Sequence, residues 1–438
     1  MGAALGSNVF LERYISEKVE TWVDEVTKLA EFALSEPQAC YAAYSFGLKH
    51  QWTYFLRTLP DIEVLLEPLE RAISDVLLPA MLERSCSEDD RNILSLPPRY
   101  GGLGISNPCS QASSEYSSSV TATAPLVDKI TSQSHELPDE NKVKEAKNQA
   151  RTDREQSARE RVRNVKASLP KETTRALELA AEKGASSWLT VLPLKSMGFD
   201  LNKREFRDAI RLRYNWQIND IPSKCVCGDD FSVEHAMICR RGGFIIQRHD
   251  ELRNLEAELL KSVCNDVELE PVLQDITNEE LNRGANKAND ARLDIHARGF
   301  WEKQRSTFFD VRVCHPNAPT YKELELSKIY EMHEDEKKRK YAERVNEIEH
   351  GTFTPLIFTT TGGMSKECMT FHSRLAQLIC TKKGEHYHTT VASIRAKTSF
   401  SLLRSSLVCL RGSRTSKRLI HDIQNLDIEI QASESNIL

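Results

Sequence analysis

The chain has 438 residues, 59 Lys+Arg against 64 Asp+Glu, and a formal net charge of -5. Its 40 % apolar and 28 % charged residues exclude wholesale disorder and a collagen-like fibre. The mildly acidic balance argues against a histone-like polyelectrolyte, but not against nucleic-acid binding, because charge can be segregated along a chain. At ~100–200 residues per domain the length predicts two to four domains. No apolar run approaches the ~18 residues of a membrane-spanning helix. The N-terminus lacks a basic n-region and an apolar h-region, so no signal peptide is expected. Met1-Gly2 does not continue as a myristoylation signal, since the sixth residue is Gly6 and Ser7 comes one place late. Eleven cysteines in this length are too sparse for a disulfide scaffold and suggest reduced thiols inside a cell.

Residues 9–84 read as three helices. Val9, Ile15, Val19, Trp22, Val23, Val26, Leu29 and Ala30 recur at helical spacing from Val9 to Leu34. Gln38 to Arg57 follows, with Tyr41, Tyr44, Phe46, Trp52, Tyr54 and Phe55 expected in a bundle core. Pro60 precedes the third, Ile62 to Arg84. The stretch LSLPPRYGGLGISN (94–107) cannot be helical, because its prolines and glycines force turns. Cys109 to Thr123 is Ser/Ala-rich and predicts a weak helix. Between Asp139 and Lys183 lie twelve Lys/Arg and nine Asp/Glu with few large apolar residues, the pattern of a solvated helical linker. A further helix is expected from Lys203 to Trp216.

The character changes after residue 224. An amphipathic helix, Gly243 to Cys264, precedes strand-like runs at Glu270–Ile276, Arg292–Phe300 and Thr307–Val313. A charged helix, Tyr321 to Ile348, and a strand, Thr354–Thr360, follow. The order α-β-β-β-α-β suggests a sheet with helices on its faces.

Cys225, Cys227, His235 and Cys239 form C-x-C, seven residues, then H-x3-C. Zinc takes four such ligands in a tetrahedron, and structural sites use Cys3His sets. Gly228 permits the tight turn of a knuckle. His235 and Cys239, four apart, come to one face in a single helical turn. The other eight cysteines are scattered singly. The bland alternative is three buried cysteines and a surface histidine.

Two strands carry carboxylates. In FFDVRV (308–313), Asp310 and Arg312 share one face while Phe309, Val311 and Val313 share the other. Asp294 lies in ARLDI on the preceding strand. Two acids on neighbouring strands can hold Mg2+ through hard oxygens, which activates water and neutralises phosphate charge; a neighbouring cation stabilises the transition state. A structural ion pair on a half-buried sheet would give the same local pattern.

The array GGFIIQRHDELRN (242–254), EPVLQDI (270–276), ARLDIHARGFW (291–301), FFDVRVCHPNAP (308–319) and EDEKKRKYAERV (334–345) resembles the restriction-like endonuclease domain of non-LTR (LINE-type) retrotransposon polyproteins, a branch of the PD-(D/E)xK nucleases. The resemblance implies that Cys225, Cys227, His235 and Cys239 are the family's zinc knuckle. Arg248, His249 and Asp250 match its Arg-His-Asn/Asp motif. Asp294 falls at its first acid, with Leu293 in place of the usual Pro, and Asp310 at its second. Arg312 stands where the superfamily has its catalytic lysine; arginine keeps the charge but cannot act as a base. The resemblance then implies a lysine from the following helix, Lys337 or Lys340, which are i, i+3, with Tyr341 beside them. Glu256 on the first helix is a further candidate metal ligand. Residues 37–58 and 96–108 are similar to the thumb-like region after the polymerase palm of such elements. No Tyr/Phe-x-Asp-Asp strand is present; Ser87-Glu88-Asp89-Asp90 is polar and reads as a turn. Reverse transcription by this chain alone is therefore not expected.

Residues 361–420 hold eleven Lys/Arg, at positions 366, 374, 382, 383, 395, 397, 404, 411, 414, 417 and 418, and two Glu. Such a segment gains affinity by releasing counterions from phosphates, and its place beside a zinc knuckle favours DNA contact. Arg248, His249, Lys382, Lys383, Arg395 and Lys397 are the nucleic-acid-binding candidates. Solvated amphipathic helices are the plainer reading of the same segment.

The expected architecture is α plus α/β: a helical thumb-like domain (1–130), a charged helical linker (131–183), a helical segment with the zinc knuckle (184–241), an αβββαβ PD-(D/E)xK-like nuclease domain (242–368) and a basic helical tail (369–438). The expected function is Mg2+-dependent DNA nicking in a retrotransposon-derived protein, with Asp294 and Asp310 holding the metal and Arg312, Lys337 or Lys340 supplying the cation. DNA is the expected partner, RNA a second candidate, and a membrane none. The DNA substrate implies the nucleus. The rivals are a non-catalytic nucleic-acid-binding protein and an inactive element remnant.

Overall fold

The structure, a computed structural model, describes residues 4–277 and 279–414. It combines many helices with one small mixed sheet. The chain forms two compact units. The first holds residues 4–218, 361–363 and 392–400; the second holds the remaining described residues. Among the described residues, no helix is long and apolar enough to cross a membrane.

The first unit is helical. It runs through α1 (Asn8–Ala33), α2 (Pro37–Ala43), α3 (His50–Thr58), α4 (Glu67–Arg71), α5 (Leu78–Leu82) and α6 (Glu88–Ser95). Then come α7 (Pro108–Thr131), α8 (Glu140–Ser168), α9 (Lys171–Ala181) and α10 (Lys203–Tyr214). Helix α1 buries Ile15, Val19, Trp22, Val26 and Ala30 at steps of three and four, the stripe that its sequence predicts. Val9 is an exception and stays exposed. Trp22 meets Trp52 and Phe55 with ring centroids 6.0 and 5.2 Å apart. Phe46 and Tyr54, expected in the core, are exposed.

Ser87 is not in a turn but caps α6. Its side chain accepts the Asp90 N–H while the Asp90 carboxylate accepts the Ser87 N–H, a capping box built from acidic residues that favour a helix N-terminus. The following loop needs glycine at 102, where a Cβ would lie 1.9 Å from the Leu96 carbonyl oxygen. The weak helix expected at 109–123 extends to 24 residues as α7. The charged segment is helical, as α8, but it packs along α7 within the first unit instead of bridging two units. It buries little besides Ala150 and Val165, so its charges remain solvated.

The second unit opens with α11 (Val233–Ile238) and α12 (Phe244–Lys261). Next come β1 (Asn265–Leu269), β2 (Ile295–Arg298), β3 (Ser306–Cys314), α13 (Leu326–Glu347) and β4 (Thr352–Thr359). Helices α14 (Lys366–Lys383) and α15 (Tyr387–Arg411), the latter with residues 392–400 in the first unit, complete the described elements. From α12 to β4 the order is αβββαβ. The sheet order is β1-β2-β3-β4. Strands β1–β3 are antiparallel, and β4 lies parallel to β3 after the α13 crossover. A parallel pair requires such a crossover.

The first strand is not at 270–276. There Pro271 lacks an N–H, and the run forms a single antiparallel bridge, Val272 to Arg292, flanked by the bonds Glu270 N to Asp294 O and Leu273 N to Ala291 O. One cluster packs Leu273, Ala291, Leu293, Phe308, Tyr341 and Val345. Phe309 instead packs against Phe300 and Phe371, at 5.4 and 5.1 Å. Fully buried Arg344 ties down the β1–β2 connection. Its guanidinium donates to the carbonyls of Gln274, Asn286 and Ala288, each at 2.8 Å. The basic residues 366–411 fall on α14 and α15, while 415–438, with Lys417 and Arg418, lie outside the described residues.

Candidate functional site

The four zinc candidates converge. One ligand atom from each of Cys225, Cys227, His235 and Cys239 lies within 4.8 Å of the others. Cys225 Sγ is 3.8 Å from Cys239 Sγ, and Cys227 Sγ is 3.3 Å from His235 Nε2. The local fold explains this. Gly228, at φ +100°, turns the chain so that its N–H donates to Cys225 O at 2.9 Å. Ser232 caps α11 by accepting the His235 N–H, which fixes His235 at its start and Cys239 at its end. Burial pushes the Cys225 thiol up, but the Cys227 backbone N–H and hydrogen bonds from His235, Cys227 and Cys239 hold it at about 7. The same hydrogen bonds push the Cys227 thiol up, so the thiols share protons among themselves. The cluster can hold a metal such as zinc.

The carboxylate cluster lies wholly in the second unit. Register Ile295↔Phe309, continued by one residue, sets Asp294 opposite Asp310. Asp294 Oδ2 accepts the Val311 N–H at 2.6 Å, so the side chain takes over a ladder bond where β2 ends. Asp310 is buried, and Lys337 Nζ on α13 lies 2.5 Å from its Oδ2. The Lys337 ammonium is the donor and counter-ion that this oxygen faces. Burial pushes the Asp310 carboxyl up. Lys337 opposes this, the Asp294 charge adds to it, and His249 opposes it. The two acids and two cations thus act on one another.

His249 on α12 completes the cluster. Its Nδ1 lies 3.1 Å from Asp250 Oδ1, and its Nε2 lies 3.2 Å from both Asp294 Oδ2 and Val311 O. Burial alone would lower its pKa. Hydrogen bonds and charge from Asp294, then Asp250, raise it to about 9.

The chain matches no known protein-family model and no curated protein.

Several expected residues sit elsewhere. Arg248 is buried, donating to Met237 O at 3.2 Å and facing Cys409 Sγ. His249, expected at the nucleic acid, faces Asp294. Arg312 does share the α13 side with Asp310, but its guanidinium pairs with Glu336 at 2.9 Å. Lys340 is exposed, with Nζ 5.0 Å from the Tyr341 ring, and makes no ion pair with either acid. Glu256 is fully buried and accepts from His372 at 3.0 Å. Lys382 and Lys383 are exposed at the end of α14, and Lys397 is exposed on α15; Arg395 on the same helix is half-buried. Sequence reasoning missed Glu336 and gave Asp250 no role in the site. The direct adjacency of Asp250 to His249 was the available signal for the latter.

Proposed function

We propose that the second unit is a metal-dependent DNA endonuclease domain of the restriction-like PD-(D/E)xK type, in a retrotransposon-derived protein. The observation that carries this reading is the Lys337–Asp310 pair set against Asp294. It supplies, from the crossover helix, the lysine that the strand lacks at Arg312. The αβββαβ order and the neighbouring Cys3His cluster support the same reading.

The donor set suits a hard divalent cation such as Mg2+. Asp294 and Asp310 offer carboxylate oxygens from opposed positions where β2 ends against β3. Such a cation supplies an activated water and neutralises charge on the phosphate. Lys337 places a positive charge at the acid that would face the scissile phosphate, where a fixed cation stabilises developing negative charge. Exposed Lys382 and Lys383 provide phosphate contacts. The first unit fits a thumb-like helical region, and a DNA substrate implies a nuclear site of action.

A second reading is a nucleic-acid-binding protein without cleavage. It is favoured by the neutralisation of both acids by His249 and Lys337. Supercoiled plasmid with Mg2+ separates the two. The nuclease reading expects nicking by the wild type and none by Asp310→Ala, with both proteins binding DNA. Equal, background-level cutting by two DNA-binding proteins would leave the binding reading.

A further inference from the structure

The second half of the β1–β2 connection turns twice on asparagine. Asn282 Oδ1 accepts the Gly284 N–H at 2.9 Å, and Asn286 Oδ1 accepts the Ala288 N–H at 3.1 Å. Each asparagine is followed by an exposed cation, Arg283 and Lys287. Side-chain turns of this kind close locally and fix the bend. The bends are also pinned to α13. The Asn286 N–H donates to Lys340 O at 2.8 Å, and the Asn282 N–H donates to Glu343 Oε2 at 2.9 Å. Arg344 holds the carbonyls of Asn286 and Ala288. A Cβ at Gly284 would lie 2.6 Å from Cγ of Arg339, so the Arg339 stem lies against the bend that carries Arg283.

Lys340 follows Lys337 by three residues, ~4.5 Å of helix rise, so this segment flanks the Asp310–Lys337 pair. It then runs directly into Asp294. Ala291 and Leu293 enter the core, which leaves Arg292 exposed two residues before Asp294. Arg283, Arg292, Arg339 and Lys340 are exposed, and among the described residues their side chains make no hydrogen bond or ion pair. Within 282–292 the one acid is Asp290, and there is no aromatic side chain. Unpaired guanidinium groups on a pinned backbone suit phosphate oxygens. The lack of aromatics argues against stacking on the bases of a single strand.

We infer that residues 282–292, with Arg339 and Lys340, form the surface that takes the phosphate backbone of duplex DNA beside the proposed cleavage site. This rests on reading Asp294, Asp310 and Lys337 as a nuclease site. The test is binding of a labelled duplex to the zinc-loaded full chain, without Mg2+, by fluorescence anisotropy over a salt series. Arg283→Gln and Arg339→Gln should each weaken binding about threefold or more at fixed salt. Each should also make the slope of log affinity against log salt shallower by about 1. Lys303→Gln, in the β2–β3 turn at the far end of both strands from Asp294, removes the same charge and should change neither. Either arginine variant suffices if the other folds poorly. A wild type that does not bind, unchanged slopes in the arginine variants, or an equal loss in all three variants overturns the inference. Shallower slopes in a protein that nicks no plasmid in Mg2+ would keep this surface and remove the nuclease reading. Wild-type nicking with unchanged slopes would do the reverse.

Discussion

Lys337 on α13 places its ammonium 2.5 Å from the Asp310 carboxylate on β3, and both side chains are largely buried. A buried pair costs desolvation to form, but removing one partner strands the other. Lys337→Met should therefore destabilise the second unit by about 3 kcal/mol. Lys340→Met, at an exposed position, should stay within about 0.5 kcal/mol. Urea unfolding measures both. Adding Asp310→Asn to Lys337→Met should recover part of the loss, the sign of direct coupling.

The Cys3His cluster predicts zinc-dependent folding of residues 225–239. Metal analysis of purified protein should find zinc, and a strong chelator or Cys239→Ser should remove it and lower the melting temperature. Protein that carries no zinc and melts identically with and without chelator would contradict the site.

Arg344 organises the connection between β1 and β2 through its three carbonyl contacts. Arg344→Met should leave those carbonyls unsatisfied and cost about 3 kcal/mol. Hydrogen exchange should accelerate most across residues 274–291, ahead of the sheet.

His315 gives the second unit an acid limb. It is buried, with Nδ1 2.8 Å from Thr360 Oγ1 and Nε2 without a partner. Burial, aided by the Arg248 charge, pushes it down to about 4. The folded pKa lies below the unfolded value of ~6.5, so the unfolded chain binds the proton first. The contribution is complete above pH ~6.5 and is lost as pH falls toward the folded value, by about 3 kcal/mol at most. His315→Gln should flatten stability against pH across that window. An unchanged acid limb in the variant would contradict it.

The sequence made some of this legible and hid the rest for physical reasons. The knuckle was readable because its turn glycine and i, i+4 pair are local. The two acids stood out as carboxylates within the apolar runs ARLDI and FFDVRV. The first strand was misplaced because β1 is a polar edge strand with little burial, and hydrophobic patterning does not mark such strands. The choice between Lys337 and Lys340 depended on the phase of α13 against β3. That phase is set by packing of Ile329, Tyr341 and Val345 and by the Arg312–Glu336 pair, none of which spacing alone reveals. Arg248 and His249 were singled out by their match to an Arg-His-Asn/Asp motif, which does not say where each points; α12 turns the first inward and the second onto Asp294. The charged helix α8 looked like a linker because few of its residues are apolar, yet it packs on α7.

The most direct measurement is single-turnover nicking of supercoiled DNA in Mg2+ by the wild type, Lys337→Ala and Arg312→Ala. If Lys337 is the cation of the site, its loss should slow nicking by about 100-fold or more. Arg312→Ala, which removes only a partly exposed pair with Glu336, should stay within about tenfold of the wild type. Wild-type protein that leaves the plasmid uncut, or Lys337→Ala cutting at the wild-type rate, would contradict the account.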